Sequence, residues 1–231
     1  LDVIATSIYS PTLVWFENLG AGSFAQQVAL TLGGSGAAAS AALDVTGDGL
    51  PEVFVARPAA FQVEYLPNLG AGAFGAPVVL STPGLNKPDI VFAEDLDGDG
   101  DRDLVLANDF GDWDTMVLEN LGASLAAPTV LTNALNGIDR IRAADLDGDG
   151  DLDLVASSRG TDDIAWAENL GSLTFAPEVH IGTLQDIRGL DVADFDGDGD
   201  QDLVYCAHNQ STVEWHENLG GGVFGPRYDI D

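Results

Sequence analysis

Near-copies of a unit of about 50 residues, apolar runs of strand length and Asn-Leu-Gly turns at fixed offsets predict an all-β chain. Small four-stranded units repeated at that period predict a β-propeller, five-bladed, with an incomplete blade at the chain ends. Asp-rich loops begin at Asp44, Asp95, Asp145 and Asp194, spaced 51, 50 and 49 residues. A second element recurs in phase, as "WFENLG" at Trp15, "YLPNLG" at Tyr65, "VLENLG" at Val117, "WAENLG" at Trp166 and "WHENLG" at Trp215. The five copies divide the chain as 1–49, 50–100, 101–150, 151–199 and 200–231, and leave no linker. They read as one domain. A β-solenoid is the weaker alternative, since its rungs are shorter.

The unit near Ile187 shows the elements in order: "IRGLDVADF", the Asp loop, "DLVYCA", the loop "HNQS", "TVEWHEN", a glycine turn and "VFGPRYDI". Its third strand alternates, with Val213 and Trp215 on one face and Glu214 and His216 on the other. Asn218-Leu219-Gly220-Gly221 supplies the positive-φ residues that a tight reversal needs. No segment of useful length carries the 3.6-residue period of a helix.

Composition narrows the function. Of 231 residues, 45% are hydrophobic and 20% charged, which describes a globular chain rather than a disordered one. The net charge is −30 and Lys87 is the one lysine, so no nucleic acid is expected as a partner. No apolar stretch reaches membrane-spanning length. Cys206 is the single cysteine and lies in the apolar run "LVYCA", so it reads as a buried structural thiol. The chain opens on Leu1 without a signal peptide and reads as a trimmed segment of a longer protein.

The acids are not spread evenly: 18 of 38 lie in the four Asp-rich loops. Carboxylates about 4 Å apart repel by roughly 1 to 4 kcal/mol per pair, so such a loop is built around something positive. Three loops carry acids at positions 1, 3, 5, 7 and 9: Asp95, Asp97, Asp99, Asp101 and Asp103; Asp145, Asp147, Asp149, Asp151 and Asp153; Asp194, Asp196, Asp198, Asp200 and Asp202. Short carboxylates alternating around glycine turns can wrap a hard cation with six or more oxygens, as Ca²⁺ prefers; Mg²⁺ tolerates such crowded cages poorly. An EF-hand needs a bidentate acid at position 12, and Leu106, Ala156 and Tyr205 stand there. The fourth loop departs from the pattern with Asp44, Thr46, Asp48, Leu50 and Glu52, and Pro51 before the last ligand, which predicts a weaker or empty site. Asp2 matches position 9 of a fifth loop whose other positions lie outside the sequence.

The pattern D-x-D-G-D-x-D-L-V, then W-x-E-N-L-G, then "GAFGAP" from Gly72 to Pro77, resembles the FG-GAP/VCBS repeat family over essentially the whole chain. Such repeats form the propeller of integrin α-subunits and of many secreted bacterial proteins. The resemblance implies that each Asp loop joins the first and second strands of a blade and binds Ca²⁺. Positions 1, 3, 5 and 9 would then ligate through side chains, and position 7 through its backbone carbonyl. Three Ca²⁺ ions are expected, with 44–52 as an optional fourth, each loop being self-contained. The resemblance also implies an extracellular, secreted or cell-surface protein acting as a lectin-like or adhesion module.

Trp15, Tyr65, Trp166 and Trp215 read as blade-packing residues before sugar-stacking ones, and the recurring Asn18, Asn68, Asn120, Asn169 and Asn218 as turn residues. The loops between second and third strands differ in every unit: "SIYSPT", "RPAAFQ", "NDFGDWDT", "SSRGTDD" and "HNQST". With connections such as "STPGLNKPD", they are expected on the face opposite the Asp loops. Phe110, Trp113, Arg57, Arg159, His208 and Lys87 are the side chains there that a glycan or protein ligand could use. His180, His208 and His216 have no candidate nucleophile nearby in sequence, and no G-x-S-x-G, H-E-x-x-H or phosphate-binding loop occurs, so no catalytic residue is assigned. The alternatives are a purely structural repeat of a larger secreted protein and a propeller enzyme such as a lyase. By strand counting, the chain holds four complete units and a three-stranded first one, 19 strands in all. Closing the ring would then take residues outside this segment or another chain.

Overall fold

A computed structural model of the chain describes residues 2–27, 30–108, 115–132, 138–158, 162–183, 186–208 and 211–230. They form five antiparallel sheets. The first holds β1 (Val3–Ala5), β2 (Thr12–Gly20), β3 (Ser23–Gln26) and β4 (Leu30–Thr31). The second is the meander β5 (Ala39–Leu43), β6 (Glu52–Arg57), β7 (Gln62–Leu66) and β8 (Val78–Leu80). The third runs β9 (Pro88–Glu94), β10 (Asp103–Asn108), β11 (Thr115–Leu118) and β12 (Thr129–Thr132). β13 (Ile138–Ala144), β14 (Asp153–Ser158), β15 (Asp163–Ala167) and β16 (Val179–Thr183) make the fourth. β17 (Ile187–Ala193), β18 (Asp202–Ala207), β19 (Thr212–Asn218) and β20 (Phe224–Ile230) make the fifth. The described helical structure is one short 3-10 turn at Pro58–Ala60.

The first sheet begins at the place of a second strand, in keeping with the expected three-stranded unit, and among the described residues its last strand position is in two pieces, on either side of 28–29. β3 pairs with Phe16 to Gly20 of β2, while β4 pairs with Thr12 and Leu13.

The chain divides into two compact units, Leu1–Glu94 with Asp101–Val130, and Leu131–Asp231 with Asp95–Gly100. In the first unit, β6 is buried along its whole length and feeds two cores by its period of two. Val53 and Val55 pack with Leu13, Leu32 and Leu66, while Phe54 and Ala56 pack with Leu104, Leu106, Met116 and Leu118. In the second unit, Leu203 and Tyr205 of β18 meet Leu146, Val155, Ile164 and Trp166. Each such Leu or Val contributes about 1.5 to 3 kcal/mol by leaving water.

Antiparallel pairing carries each Asp loop and the Asn-Leu-Gly turn of the same sheet to one end of that sheet, and the loop between second and third strands to the other. Of the aromatic series, Trp15 and Trp166 reach the next sheet, whereas the ring partners of Tyr65 and Trp215 lie in their own sheet or its Asp loop. Trp166 lies under Gly222, where an added Cβ would come within 2.2 Å of the indole. Tyr65 stacks on Phe54 with centroids 5.3 Å apart, and Trp215 packs between Phe195 and Tyr228 at 5.5 and 5.4 Å. In β19 the polar face, Glu214 and His216, is the buried one. Thr212 Oγ1 donates to Glu214 at 2.8 Å, and His216 Nδ1 lies 2.9 Å from the Gly225 carbonyl. Cys206 is partly rather than fully buried, with its sulfur against Gly189.

Candidate metal centre

Backbone N–H groups organise each Asp loop from within. The position-1 carboxylate takes two glycine N–H groups, one on each oxygen: Asp95 from Gly98 and Gly100 at 2.9 and 3.0 Å, Asp145 from Gly148 and Gly150 at 2.8 and 3.1 Å, and Asp194 from Gly197 and Gly199 at 2.7 and 3.2 Å. Position 3 then accepts from the N–H of position 5, as Asp97 does from Asp99, Asp147 from Asp149 and Asp196 from Asp198. Asp149 and Asp198 accept in turn from Asp151 and Asp200, each at 2.9 Å. These bonds hold several carboxylates of one loop side by side.

Three groups of carboxylate oxygens converge, each within 4.8 Å: Asp95, Asp97 and Asp99; Asp145, Asp147 and Asp153; Asp194, Asp196 and Asp202. The structure therefore brings positions 1 and 3 together in all three loops, joined by position 9 in two and by position 5 in one. Position 7 turns away. Asp101, Asp151 and Asp200 lean over the turn of their own sheet, where a Cβ on Gly122, Gly171 or Gly220 would lie 3.0, 3.5 or 3.3 Å from their Oδ2 atoms. Those three glycines also have positive φ, a conformation that favours glycine there.

Position 9 has a structural task that its place in the sequence does not reveal. Asp153 Oδ2 accepts the N–H of Leu146 and its Oδ1 that of Asn169, both at 2.8 Å, and the carboxylate is fully buried. Asp202 repeats this with Phe195 and Asn218, both at 2.8 Å, and Asp103 accepts Asn120 N–H at 2.9 Å. Asp2 accepts Asn18 N–H at 2.9 Å, which bears out its alignment with position 9.

Burial pushes the Asp153 carboxyl up to about 6; the N–H groups of Asn169 and Leu146 pull against this, and Asp147 and Asp149 add to it. Burial and neighbouring carboxylates likewise raise Asp97 and Asp196. A cation among these oxygens would reverse such shifts, because an opposite charge favours the ionised form. The donor set suits Ca²⁺: hard oxygens only, several carboxylates, and a loop whose glycines allow a wrap.

The 44–52 loop is built otherwise. Asp44 keeps its cradle, accepting from Gly47 and Gly49 at 2.9 and 2.7 Å, and Glu52 keeps the buried position, accepting from Val45 at 3.1 Å. Thr46 Oγ1 turns to Asp44 Oδ1 at 3.4 Å, and Leu50 brings no carboxylate. Among the described residues, Asp44, Asp48 and Glu52 do not form one of the converging groups.

The recurring asparagine is more than a turn residue. Its Oδ1 does accept the N–H two residues on in all five copies, at 2.8 to 3.1 Å. In three copies its amide also reaches a loop more than 70 residues back. Asn120 Nδ2 donates to the Asp44 carbonyl at 2.9 Å, Asn169 to Leu96 at 2.7 Å and Asn218 to Leu146 at 2.7 Å. Repetition of the asparagine was the one available signal, and it could not name the partner.

At the other ends of the sheets the structure revises the candidates. Arg57 is 1% exposed, so it is withdrawn from the ligand-facing set. It forms an ion pair with Glu64 and donates to the carbonyls of Gly33 and Ser35. His208 is exposed and sits 3.0 Å from Asp186, which Arg188 also meets at 2.7 Å. Lys87 is partly buried, and its backbone N–H donates to Asn108 at 3.0 Å. Phe110, Trp113 and Arg159 lie outside the described residues. Two aromatics that sequence reasoning passed over stand out. Tyr9 is 93% exposed, and Phe61 is 66% exposed on a left-handed residue (φ 57°) that follows the Pro58–Ala60 turn.

A family model described as an FG-GAP-like repeat matches residues 1–55, 44–106, 95–156 and 145–205. The last three matches start on the first aspartate of one loop and run past the next, so the family's unit is the one seen here. The chain belongs to the FG-GAP repeat family. Among solved structures, a lectin from Agrocybe aegerita that recognises non-reducing terminal N-acetylglucosamine is similar, with a TM-score of 0.68 at 19% identity, over 99% of this chain and 65% of that one. A protein of unknown function from Desulfotomaculum acetoxidans has a TM-score of 0.64 at 16% identity, over 99% of this chain and 67% of that one. The BBS1 N-terminal region solved in complex with ARL6 has a TM-score of 0.59 at 11% identity, over 98% and 66%. This chain thus spans about two thirds of the length of each. No curated protein matches the sequence. At these identities the likeness concerns the fold, which is an FG-GAP-repeat β-propeller fold of five four-stranded sheets.

Proposed function

We propose that this chain is a Ca²⁺-stabilised binding module, one domain of five repeats, working outside the cell in a secreted or cell-surface protein. The observation that carries the metal reading is the convergence of three carboxylate oxygens within 4.8 Å in each of three loops. Asp145, Asp147 and Asp153 would hold one ion, Asp194, Asp196 and Asp202 a second, and Asp95, Asp97 and Asp99 a third. Each loop's other oxygens, including the position-7 carbonyl, would complete a shell of six to eight. The ion would supply charge compensation and a rigid loop. Affinities of about 10⁻⁴ to 10⁻³ M are usual for extracellular Ca²⁺ modules and suit millimolar external calcium.

The ligand in this reading is a glycan or a protein, held at the sheet ends away from the Asp loops, where Tyr9 and Phe61 stand exposed in the first compact unit. The likeness to a lectin and to a propeller solved with a protein partner supports that pair of classes. We read the module as non-enzymatic. Its clustered carboxylates are committed to the metal loops, and His180 and His208 are paired with Asp163 and Asp186. Burial and the neighbouring Glu214 push the Tyr205 hydroxyl up, so it stays protonated at neutral pH. No helix among the described residues is long and apolar enough to cross a membrane.

Calorimetry tests the metal half. Millimolar Ca²⁺ should raise the Tm over that in EDTA, with three ions bound per chain, because a ligand held only by the folded state stabilises it. Identical melting curves in Ca²⁺ and EDTA would remove the metal reading. A glycan array probed with and without Ca²⁺ tests the ligand: a blank array in Ca²⁺ leaves only the protein class.

A further inference from the structure

A continuous path of buried hydrogen bonds joins two of the Asp loops within the second compact unit. Asp153 Oδ2, in loop 145–153, accepts the N–H of Leu146 at 2.8 Å. The carbonyl of the same Leu146 accepts the side-chain amide of Asn218 at 2.7 Å. The backbone N–H of Asn218 donates to Asp202 Oδ1 at 2.8 Å, and Asp202 Oδ2 accepts Phe195 N–H at 2.8 Å, inside loop 194–202. Asp153 and Asp202 are fully buried, and Asn218 and Leu146 are 1% exposed. Water therefore competes little for the bonds from Asp153 through Leu146 and Asn218 to Asp202, while Phe195 at the far end is exposed.

We propose that Asn218 couples the two loops, so that a cation bound at Asp145, Asp147 and Asp153 raises the affinity of the site at Asp194, Asp196 and Asp202. The proposal rests on the metal reading above and adds a coupling between loops whose ligand groups each come from one loop. A cation that fixes Asp153 fixes Leu146, whose carbonyl then holds the Asn218 amide in one orientation. Asn218 in turn presents its N–H to Asp202, which is placed for its own ion before that ion arrives. Part of the ordering cost of the second binding event is thus met by the first, which is positive cooperativity without any large movement. By linkage, the second site must favour the first by the same factor. Asn169 builds the same junction one repeat earlier, between the Leu96 carbonyl at 2.7 Å and Asp153 at 2.8 Å. Asn218 acts as a positioning residue: it touches neither ion.

The test is a Ca²⁺ titration of the whole chain followed by amide NMR at about 0.15 M salt, where charges more than about 8 Å apart are largely screened. The Gly148 and Gly150 amides, bonded to Asp145, report one loop, and those of Gly197 and Gly199, bonded to Asp194, report the other. Asp147→Ala should weaken Ca²⁺ at the 194–202 loop about fivefold or more, the lower range of known site–site couplings. In an Asn218→Ala background the same substitution should leave that affinity unchanged. Asn218→Asp serves if the alanine variant does not fold: it keeps the acceptor for Gly220 and loses the amide donor, and because it also adds a charge, the effect of Asp147→Ala is read within that background. The proposal is overturned if Asp147→Ala leaves the 194–202 affinity unchanged in the parent. It is equally overturned if the weakening is the same with and without the Asn218 amide. A parent whose four glycine amides ignore millimolar Ca²⁺ overturns the metal reading itself, an outcome distinct from independent binding at both loops.

Discussion

In loop 145–153, Asp145 accepts Gly148 and Gly150 at 2.8 and 3.1 Å, and the last acid, Asp153, accepts Leu146 at 2.8 Å. In loop 44–52, Asp44 accepts Gly47 and Gly49 at 2.9 and 2.7 Å, and the last acid, Glu52, accepts Val45 at 3.1 Å. The scaffolds agree, and the loops differ in how many carboxylates they carry, five in 145–153 and three in 44–52. Burial pushes Asp153 up to about 6, with Asp147 and Asp149 adding to the push. At Asp44 the N–H groups of Gly49, Gly47 and Thr46 together outweigh desolvation and hold the carboxyl below its usual range. Glycine geometry and backbone hydrogen bonds thus build the wrap that both loops share. Density of carboxylates is a separate property, and it is what differs between them.

The largest expected effect tests the shared scaffold. Asp153→Ala strands two buried N–H groups, at about 1 to 3 kcal/mol each, so urea unfolding in EDTA should show a loss of about 2 to 6 kcal/mol. Glu52→Ala strands the Val45 N–H and should cost about 1 to 3 kcal/mol by the same measurement. A larger loss for Glu52→Ala would break the claim that the two positions are equivalent.

Metal dependence separates the loops next. At ten times the dissociation constant, each occupied site adds about 1.4 kcal/mol. Asp147→Ala should remove at least one such increment between EDTA and Ca²⁺ melts, whereas Asp48→Ala should leave the difference unchanged. A third substitution converts one loop toward the other. Thr46→Asp restores the missing carboxylate, so stability in EDTA should fall by about 1 kcal/mol through repulsion. Titration calorimetry should then count one more Ca²⁺. No added ion would mean that Leu50, Pro51 and Glu52, rather than Thr46, decide the difference.

The smallest effect lies outside both loops and serves as their control. Desolvation pushes Asp186 up, but Arg188 and His208 beside it outweigh this and hold the carboxyl below its ordinary value near 3.9. A lowered acid contributes stability above its unfolded value and loses it as pH falls through the folded one. Asp186→Asn should therefore flatten the stability curve only below about pH 4 and leave the Ca²⁺ increments untouched. A change in those increments would show that the loops are not the seat of the metal effect.

What the sequence by itself determined is what lies within a few residues along the chain. Alternating carboxylates from Asp145 to Asp153, with Gly148 and Gly150 between them, specify a wrapped acidic loop, because a side chain and a backbone N–H two to five residues away meet whenever glycine permits the turn. Strand identity in β6 and the Asn-Leu-Gly turns were legible for the same reason, and so was the departure of loop 44–52 from the pattern, written in Thr46. Tertiary structure alone decided the rest. Arg57 lies at the end of a strand and looked like a surface cation, but packing against Glu64 and the Gly33 carbonyl buried it. Asp153 could be read as a ligand, but not as the acceptor for Asn169, sixteen residues on, which depends on the register of β14 and β15. The bond from Asn218 to Leu146 spans 72 residues and exists only because successive repeats stack. A local pattern encodes the acceptors and donors a segment offers; which distant group answers them is set by register and stacking, and these follow from the burial of whole sheets.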